Sequence, residues 1–187
     1  YSLAATTGTD PTFTRATAAT FEDFEGLIKT VESSEPRFQG ARRVENILPY
    51  SEDFSNTSWQ NPSGVQPYLV AGVGPDGSDA YKVERGTGWA DLNSFNGGLA
   101  GDSITTSFLI KTATGVAGTL AIYGSSLNYL AGVSLPLEWT RISANFLLTA
   151  AGSTSIRSAT QDFYIKSAQS EITTGQTNQN PSEYVST

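Results

Sequence analysis

The chain has 187 residues, of which 38% are hydrophobic and 16% charged, with 18 Gly, and this favours one all-β domain of sandwich size with an appendage over a helical bundle. It contains neither Cys nor His, so disulfides, thiolate or imidazole metal sites and Ser-His-Asp or Cys-His catalysis are excluded. Its net charge of −7 would repel a phosphate backbone, so we expect no nucleic-acid partner.

The first part of the chain, residues 1–40, is predicted to form an extended arm. Residues 1–10 are small and polar and lack the basic and apolar regions of a signal peptide. From Pro11 onward the backbone should be extended, and Phe13 and Arg15 belong to a pattern of period two. The chain does not begin with Met, so we expect a fragment or a part of a longer protein. No apolar run approaches the roughly 20 residues that span a bilayer, so no membrane insertion is expected.

The arm segment TFEDFEGLIKTV allows two interpretations. With Thr20 as a cap, its apolar residues fit the spacing of a helix. These residues are Phe21, Phe24, Leu27 and Ile28. Gly26 and the β-branched residues that follow it favour a hairpin that turns at residues 23–26.

Either element is too small to bury its own apolar side chains, so the arm should pack on the body or on other chains. We predict docking onto other chains, in a homo-oligomer such as a trimer or in a larger assembly. The docking residues would be Phe13, Phe21, Phe24, Leu27, Ile28, Arg42 and Arg43. The basic cluster around Arg42 and Arg43 either binds an acidic surface of a neighbour or pairs within this acidic chain.

Residues 41–187 are predicted to form the body, a single all-β domain. Segments that alternate apolar and polar residues recur about every ten residues between Gly-rich turns, which is typical of a sandwich or barrel. These segments are 65–70, 80–85, 104–111, 120–123, 139–148 and 163–166. The predicted core residues are Phe108, Ile110, Ile142, Phe146, Phe163 and Ile165. Thr105, Ser107 and Arg141 should point outward.

Other parts of the body are less regular. Ile47 and Leu48 should start the first buried strand, although the Pro that follows limits how far it can continue as a central strand. Trp59 and Trp139 are expected in the core, as large aromatic residues usually are. The Gly- and Asn-rich stretch 86–101 is interpreted as a long loop or an irregular pair of strands.

Several segments of the body resemble jelly-roll modules related to carbohydrate-binding domains. They are SITTSFLIK, EWTRISANFLL and the closing DFYIKSAQSEITTGQTNQNPSEYVST, whose tail motif is Gln169, Glu171, Tyr184 and Thr187. The leading segments PTFTRATAATFEDFEGLIKT and ESSEPRFQGARRVENILPYSEDFSNTSW resemble the region that precedes such jelly rolls in tailed-bacteriophage virion proteins. The resemblance implies a two-sheet antiparallel jelly-roll β-sandwich on a phage particle, often multimeric, and it brings no catalytic residue. The stretch 37–43 is shorter than in many phage relatives, so a role of that insertion does not transfer.

Aromatic side chains in polar or outward positions are candidates for sugar binding, because the apolar faces of pyranose rings pack well on flat π surfaces. The predicted carbohydrate-binding residues are Trp89, Phe95, Tyr123 and Tyr129. Trp89 lies in a polar stretch, and the two Tyr residues lie on outward faces or turn edges. The alternatives are burial in the core and a contact between subunits.

Four carboxylates are candidates for a structural calcium site: Glu52, Asp53, Asp162 and Glu171. Jelly-roll modules of the kind that this chain resembles often bind such an ion, and the four groups would approach one another if the first and last strands pair. The alternative is ordinary solvated charge. No other cofactor is expected, and paired carboxylates for glycoside cleavage need a cleft and a separation that the sequence does not define.

The resemblance, together with the predicted arm, implies a bacteriophage virion structural or adhesion protein on the extracellular particle, as a capsid decoration, head-fibre or tail-fibre module. Its arm would dock onto other virion proteins, and its jelly roll would bind a host-surface glycan. The alternative is a free carbohydrate-binding module of a secreted protein, and a glycan-processing enzyme comes a distant third. We expect no enzymatic activity, because the chain has no His, no Cys and no recognisable carboxylate pair.

Overall fold

A computed structural model of the protein describes residues 14–22, 28–34, 45–86, 88–95, 97–125, 129–176 and 178–187. The chain divides into two units, Tyr1–Arg43 and Val44–Thr187, which hold the arm and the body. The strands formed by the described residues are β1 (Ala19–Glu22), β2 (Ile28–Val31), β3 (Tyr68–Val70), β4 (Ala80–Val83), β5 (Ala90–Phe95), β6 (Ser103–Thr112), β7 (Gly118–Tyr123), β8 (Tyr129–Leu135), β9 (Thr140–Leu147), β10 (Ser153–Ser158) and β11 (Phe163–Ile172). Within this described part there is no helix long and apolar enough to cross a membrane.

The arm contains a two-stranded antiparallel hairpin of β1 and β2, in which Phe21 pairs with Lys29. The hairpin interpretation is therefore confirmed over the helical one, although the turn itself lies outside the described residues. At the open end of the hairpin, the Ser34 N–H donates to the Arg15 carbonyl at 3.0 Å. The Arg15 guanidinium in turn donates to the carbonyl of Glu32 at 2.6 Å and ties the two strand ends together.

The body consists of two antiparallel sheets that pack face to face. One sheet has the strand order β5-β10-β7-β8, and the other has the order β3-β4-β11-β6-β9. Strands that are distant in sequence are neighbours in both sheets, so the fold depends on long-range pairing. The protein is thus all-β, with a two-sheet antiparallel jelly-roll β-sandwich, as the sequence predicts.

Alternation along the strands sends one set of side chains into the space between the sheets. On β6, which lies between β11 and β9, Ile104, Phe108 and Ile110 are fully buried, and they meet Leu92, Ile122 and Ile156 of the other sheet in one apolar cluster. Five of the six predicted core residues are buried, and Ile142 is half-buried against the same cluster. Burial of this kind contributes about 1.5–3 kcal/mol for each large apolar side chain.

The first segment of the body differs from the prediction. Ile47 and Leu48 do not lie in a strand, although Leu48 is buried. The Ile47 N–H donates to the Ser170 carbonyl at 2.9 Å, so the segment runs beside β11 without forming a regular ladder. The cause is Asn46, whose side-chain Oδ1 accepts from the Ser170 N–H at 3.1 Å and from the Leu48 N–H at 3.2 Å and so replaces strand pairing with local bonds.

The two tryptophans that were expected in the core have different environments. Trp59 is buried, packs on Phe54 at 5.0 Å between ring centroids and donates its indole N–H to the Tyr50 carbonyl at 2.9 Å. The expectation is wrong for Trp139, which is half-buried outside the core cluster. Its indole N–H donates to the Val73 carbonyl at 2.9 Å, and Lys111 Nζ lies 5.6 Å from its ring, so polar partners hold it at the sheet surface.

A C-terminal strap, residues 178–187, covers part of the outer face of the five-stranded sheet. Thr105 Oγ1 donates to the Gln179 carbonyl at 2.6 Å, and the Val185 N–H donates to Gln169 Oε1 at 3.0 Å. Thr105 and Ser107, which alternation places on this outer face, are therefore buried and not exposed to solvent. The tail motif that resembles other jelly rolls thus serves to attach the end of the chain.

Charged groups lie beneath the strap as well. Arg141 Nη1 donates to the Ser182 carbonyl at 2.6 Å, and the Ser182 N–H donates to Glu171 Oε1 at 3.0 Å. Burial lowers the pKa of Arg141, and the charge of Glu171 opposes that shift. Burial also raises the pKa of Tyr184 to about 12, and the Tyr184 hydroxyl lies 2.7 Å from Ser51 Oγ. Arg141 is therefore half-buried and structural, although it was predicted simply to point outward.

Candidate functional site

The outer face of the four-stranded sheet carries an aligned set of polar and aromatic side chains. Asp91 on β5 is in register with Arg157 on β10, which is in register with Ala121 on β7. Two residues further along, Asn93, Ser155, Tyr123 and Tyr129 form a second cross-strand row. Because side chains alternate along a strand, residues two apart share a face, and these rows build one continuous surface.

All four predicted sugar-binding aromatic residues lie on this face. Trp89 precedes β5 and is 50% exposed, Phe95 ends β5 and is 62% exposed, and Tyr129 begins β8 and is 58% exposed. Tyr123 is opposite Tyr129 in register, and the two rings stack at 5.2 Å between centroids with an interplanar angle of 24°. The stretch that was interpreted as a loop or irregular strand pair thus contains the regular strand β5, which places both Trp89 and Phe95.

Arg157 lies at the centre of the face between two aromatic rings. Its guanidinium carbon is 4.9 Å from the Trp89 ring centroid and 5.4 Å from that of Tyr123. Arg157 Nε and Nη2 both donate to Asp91 Oδ2, at 2.8 and 2.6 Å, and Ser155 Oγ donates to Asp91 Oδ1 at 3.1 Å. This ion pair holds the guanidinium in one orientation. Sequence reasoning missed both Asp91 and Arg157.

Two neighbouring pockets lie on the face, and both include Tyr123 and Arg157 in their walls. The first has a volume of about 250 Å³, and most of its other lining residues carry polar side chains: Pro62, Asp91, Asn93, Ser125, Ser153 and Ser155. The second has a volume of about 280 Å³ and is mostly apolar, with Trp89, Thr119, Leu120, Ala121, Tyr129, Ala131, Gly132 and Ala159. We call the two pockets together the groove.

The polar half of the groove contains an acceptor without a partner. Asn93 Oδ1 is buried and makes no hydrogen bond within the part of the chain that the structure describes. A buried polar atom of this kind is costly unless a ligand or water satisfies it. A hydroxyl group of a ligand in this pocket could donate to it.

The four carboxylates considered for calcium have separate partners. Asp53 accepts from the Tyr81 hydroxyl at 2.9 Å, Asp162 lies 3.5 Å from Lys82 Nζ, and Glu171 accepts from Gln169 and Ser182 under the strap. Hydrogen bonds from Ser55 and Tyr81 lower the pKa of Asp53. Glu52 is exposed. Within the described residues no group of three or more acidic side chains could hold a metal ion, so the geometry gives the calcium prediction no support.

Only part of the predicted docking set can be placed. Ile28 is 71% exposed on β2, and Phe21 is half-buried on β1. Phe13, Phe24, Leu27, Arg42 and Arg43 lie outside the described residues. Docking through this set therefore stays a prediction.

Comparisons with known proteins show what the fold of this chain is similar to. No protein-family model matches the chain, and no curated protein matches it either. Among solved structures it is similar to the CBM22-1–GH10 modules of endo-1,4-β-D-xylanase 10B of Clostridium thermocellum in complex with xylohexaose, at 23% identity and a TM-score of 0.51 over 74% of this chain. The chain spans only 30% of that protein.

Two further similarities concern a shorter module and a phage protein. The CBM22-1 xylan-binding domain of Paenibacillus barcinonensis Xyn10C matches at 13% identity and a TM-score of 0.51, over 71% of this chain and 97% of that one. The enzymatically active domain of tailspike protein 4 of bacteriophage CBA120 matches at 14% identity and a TM-score of 0.49, over 68% of this chain and 21% of that one. The body thus has the jelly-roll fold of carbohydrate-binding modules.

Proposed function

We propose that the body is a carbohydrate-binding module and that the groove on its four-stranded sheet binds a glycan chain. The observation that supports this most is the convergence of Trp89, Phe95, Tyr123 and Tyr129 on one face, beside a pocket lined with hydrogen-bonding groups. Clustered exposed aromatic side chains often mark a binding site, and sugar rings offer both an apolar face and hydroxyl groups. The strap occupies part of the outer face of the other sheet, which supports the choice of the four-stranded sheet as the binding face.

The two halves of the groove suit different parts of a sugar chain. Trp89 and Tyr129 flank a floor of small residues, Ala121, Ala131 and Gly132, over which a ring can lie flat. In the polar half, Asn93 and the serines present hydrogen-bonding groups for hydroxyls. Because both halves share a wall, consecutive sugar rings of one chain can use both.

Removal of one aromatic platform tests this proposal. Trp89→Ala and Tyr129→Ala should each weaken glycan binding about ten-fold or more, because each loses a contact worth roughly 1.5–3 kcal/mol. The measurement is isothermal titration of glycans selected from an array with the wild-type protein. The matched control is Tyr68→Ala, which removes a Tyr that is 44% exposed from β3 of the other sheet and should not change affinity. Equal losses in all three variants, or no binding by the wild type, would reject the proposal.

We further propose that the protein binds glycans without cleaving them. Among the described residues that line the groove there is one carboxylate, Asp91, and that group is engaged by Arg157 and Ser155. Acid–base cleavage of a glycosidic bond generally uses two carboxylates that flank the bond. The arrangement therefore supports binding better than hydrolysis.

A role on a phage particle is the second proposal, and the arm hairpin is the feature that favours it. A two-stranded hairpin is marginally stable in water on its own, and its Ile28 is 71% exposed. We propose that the arm docks onto other chains, in a homo-oligomer or among other virion proteins, while the body presents the groove to a host-surface glycan. Edge pairing of β1 or β2 with a partner strand would also use unpaired backbone amides.

Deletion of Tyr1–Arg43 tests the docking role. All core residues that the structure describes belong to the body, so the shortened protein should fold and keep its glycan affinity. It should be monomeric by light scattering or lose incorporation into particles, whereas the full chain assembles. An armless chain that assembles like the parent, or a full-length chain that is monomeric and absent from particles, would contradict the docking role and favour a free module.

A further inference from the structure

Arg157 is a cation in the walls of the groove, and its charge is already balanced there. Asp91 is 1% exposed and receives both the Nε and the Nη2 hydrogen bonds of Arg157. Among the described residues that line the two pockets, Asp91 and Arg157 are the only ionised side chains. The groove therefore has a net charge close to zero, within a chain whose net charge is −7.

The ion pair of Asp91 and Arg157 determines which hydrogen-bond donors of Arg157 a ligand can reach. Trp89 and Tyr123 lie within 5.4 Å of the guanidinium carbon, and Asp91 engages one edge of the guanidinium. Nη1 makes no hydrogen bond within the described residues and is left to donate to a ligand. Arg157 thus acts as a fixed hydrogen-bond donor whose charge is compensated, and it is not a free anion-binding site.

We propose that Asp91 is a positioning residue that makes the groove selective for neutral glycans over glycans that bear carboxylates, an inference that rests on the proposed glycan-binding function. A uronate carboxylate that bonded Nη1 would share one guanidinium with the Asp91 carboxylate, so the single positive charge would already be balanced and the two carboxylates would repel each other. The negative charge of the whole chain adds to this rejection. A neutral hydroxyl meets neither penalty.

The substitution Asp91→Asn removes the negative charge of Asp91 and weakens its hold on Arg157, and these two changes have opposite effects on anionic glycans. The amide has the size of the carboxylate and keeps an acceptor oxygen for Arg157, but it leaves the guanidinium charge uncompensated. Neutral hexasaccharides should bind about ten-fold more weakly, because the fixed orientation of Arg157 is loosened. Hexagalacturonate should bind more tightly than to the wild type. A purely structural role of Asp91 would lower both affinities together.

The experiment measures dissociation constants for neutral hexasaccharides of xylose, glucose, galactose and mannose and for hexagalacturonate. The matched control is Glu84→Gln, which removes the same charge from the other sheet, where Glu84 pairs with Lys82 at 2.7 Å. This control should keep the wild-type ratio of the neutral to the anionic affinity, whereas Asp91→Asn should shift that ratio at least ten-fold toward the anion. Adding Arg157→Gln to Asp91→Asn should abolish the gain.

The wild-type protein also tests the charge balance if Asp91→Asn does not fold. It should bind a neutral hexasaccharide with little dependence on salt and should not bind hexagalacturonate more tightly when salt is lowered. A wild type that prefers hexagalacturonate, or a folded Asp91→Asn variant with an unchanged affinity ratio, would overturn this inference and leave the proposed function intact. If no glycan binds the wild type, the proposed function itself fails, and the inference fails with it.

Discussion

Deletion of the C-terminal strap should destabilise the body by about 5 kcal/mol or more, which is comparable to the whole stability of many domains. Each hydrogen bond contributes roughly 0.5–1.5 kcal/mol net, and the strap makes many of them. Thr187 alone bonds the Leu48 carbonyl at 2.7 Å and Ser51 Oγ at 3.0 Å, and Ser182 bonds Glu171. For a chain of this size the melting temperature should fall by roughly 10–20 °C.

Thermal unfolding of a chain that ends at Gln176, followed by circular dichroism, measures this effect. Ser186→Ala is the matched control, because this exposed strap side chain has no hydrogen-bonded partner in the described residues and its removal should leave the melting temperature unchanged. Should the shortened chain melt within a few degrees of the parent, the strap would be an appendage and not a part of the folded body. If the strap holds Arg141 and Glu171 in place, the melting temperatures of the shortened chain and of Ser186→Ala should differ widely.

Alternation explains how much of the fold could be predicted. Period-two patterns identified the strands that carry Phe108, Phe146 and Phe163 and the direction in which these side chains point, because that period follows from strand geometry. The strap could not be predicted, since its Ser, Asn and Pro residues have no periodicity and its partners are distant in sequence. For the same reason Thr105 was expected on an open surface, although the strap buries it.

The candidate site was predictable in its residue types but not in its arrangement. Exposed aromatic residues stand out in sequence, so Trp89 and Tyr129 could be proposed for sugar binding from chemistry alone. The pairing of Asp91 with Arg157 joins residues 66 positions apart and requires β10 to lie next to β5. An Asp between the apolar Ala90 and Leu92 and an Arg beside the apolar Ile156 were the available signals, and neither identifies its partner without the sheet order.

Phe146→Ala should lower the free energy of unfolding by about 3–5 kcal/mol, as large-to-small changes in a packed core do. Phe146 is buried on β9 opposite Ile104 of β6, and a Cβ built on Gly124 would lie 2.6 Å from its ring. The ring therefore fills the space directly beneath Gly124, next to Ser125 in the groove wall. We expect the resulting cavity to weaken glycan binding only modestly, because the aromatic platforms stay in place.

Chemical denaturation with two further variants decides whether this packing is correct. Leu147→Ala changes the adjacent residue, which is 65% exposed, and should alter stability by less than about 0.5 kcal/mol. Gly124→Ala should cost about 1–3 kcal/mol in the parent by overpacking, but much less in the Phe146→Ala background, where the added methyl group has room. If Leu147→Ala is the costly substitution and Phe146→Ala the harmless one, β9 is shifted by one residue, and its inner and outer faces are exchanged.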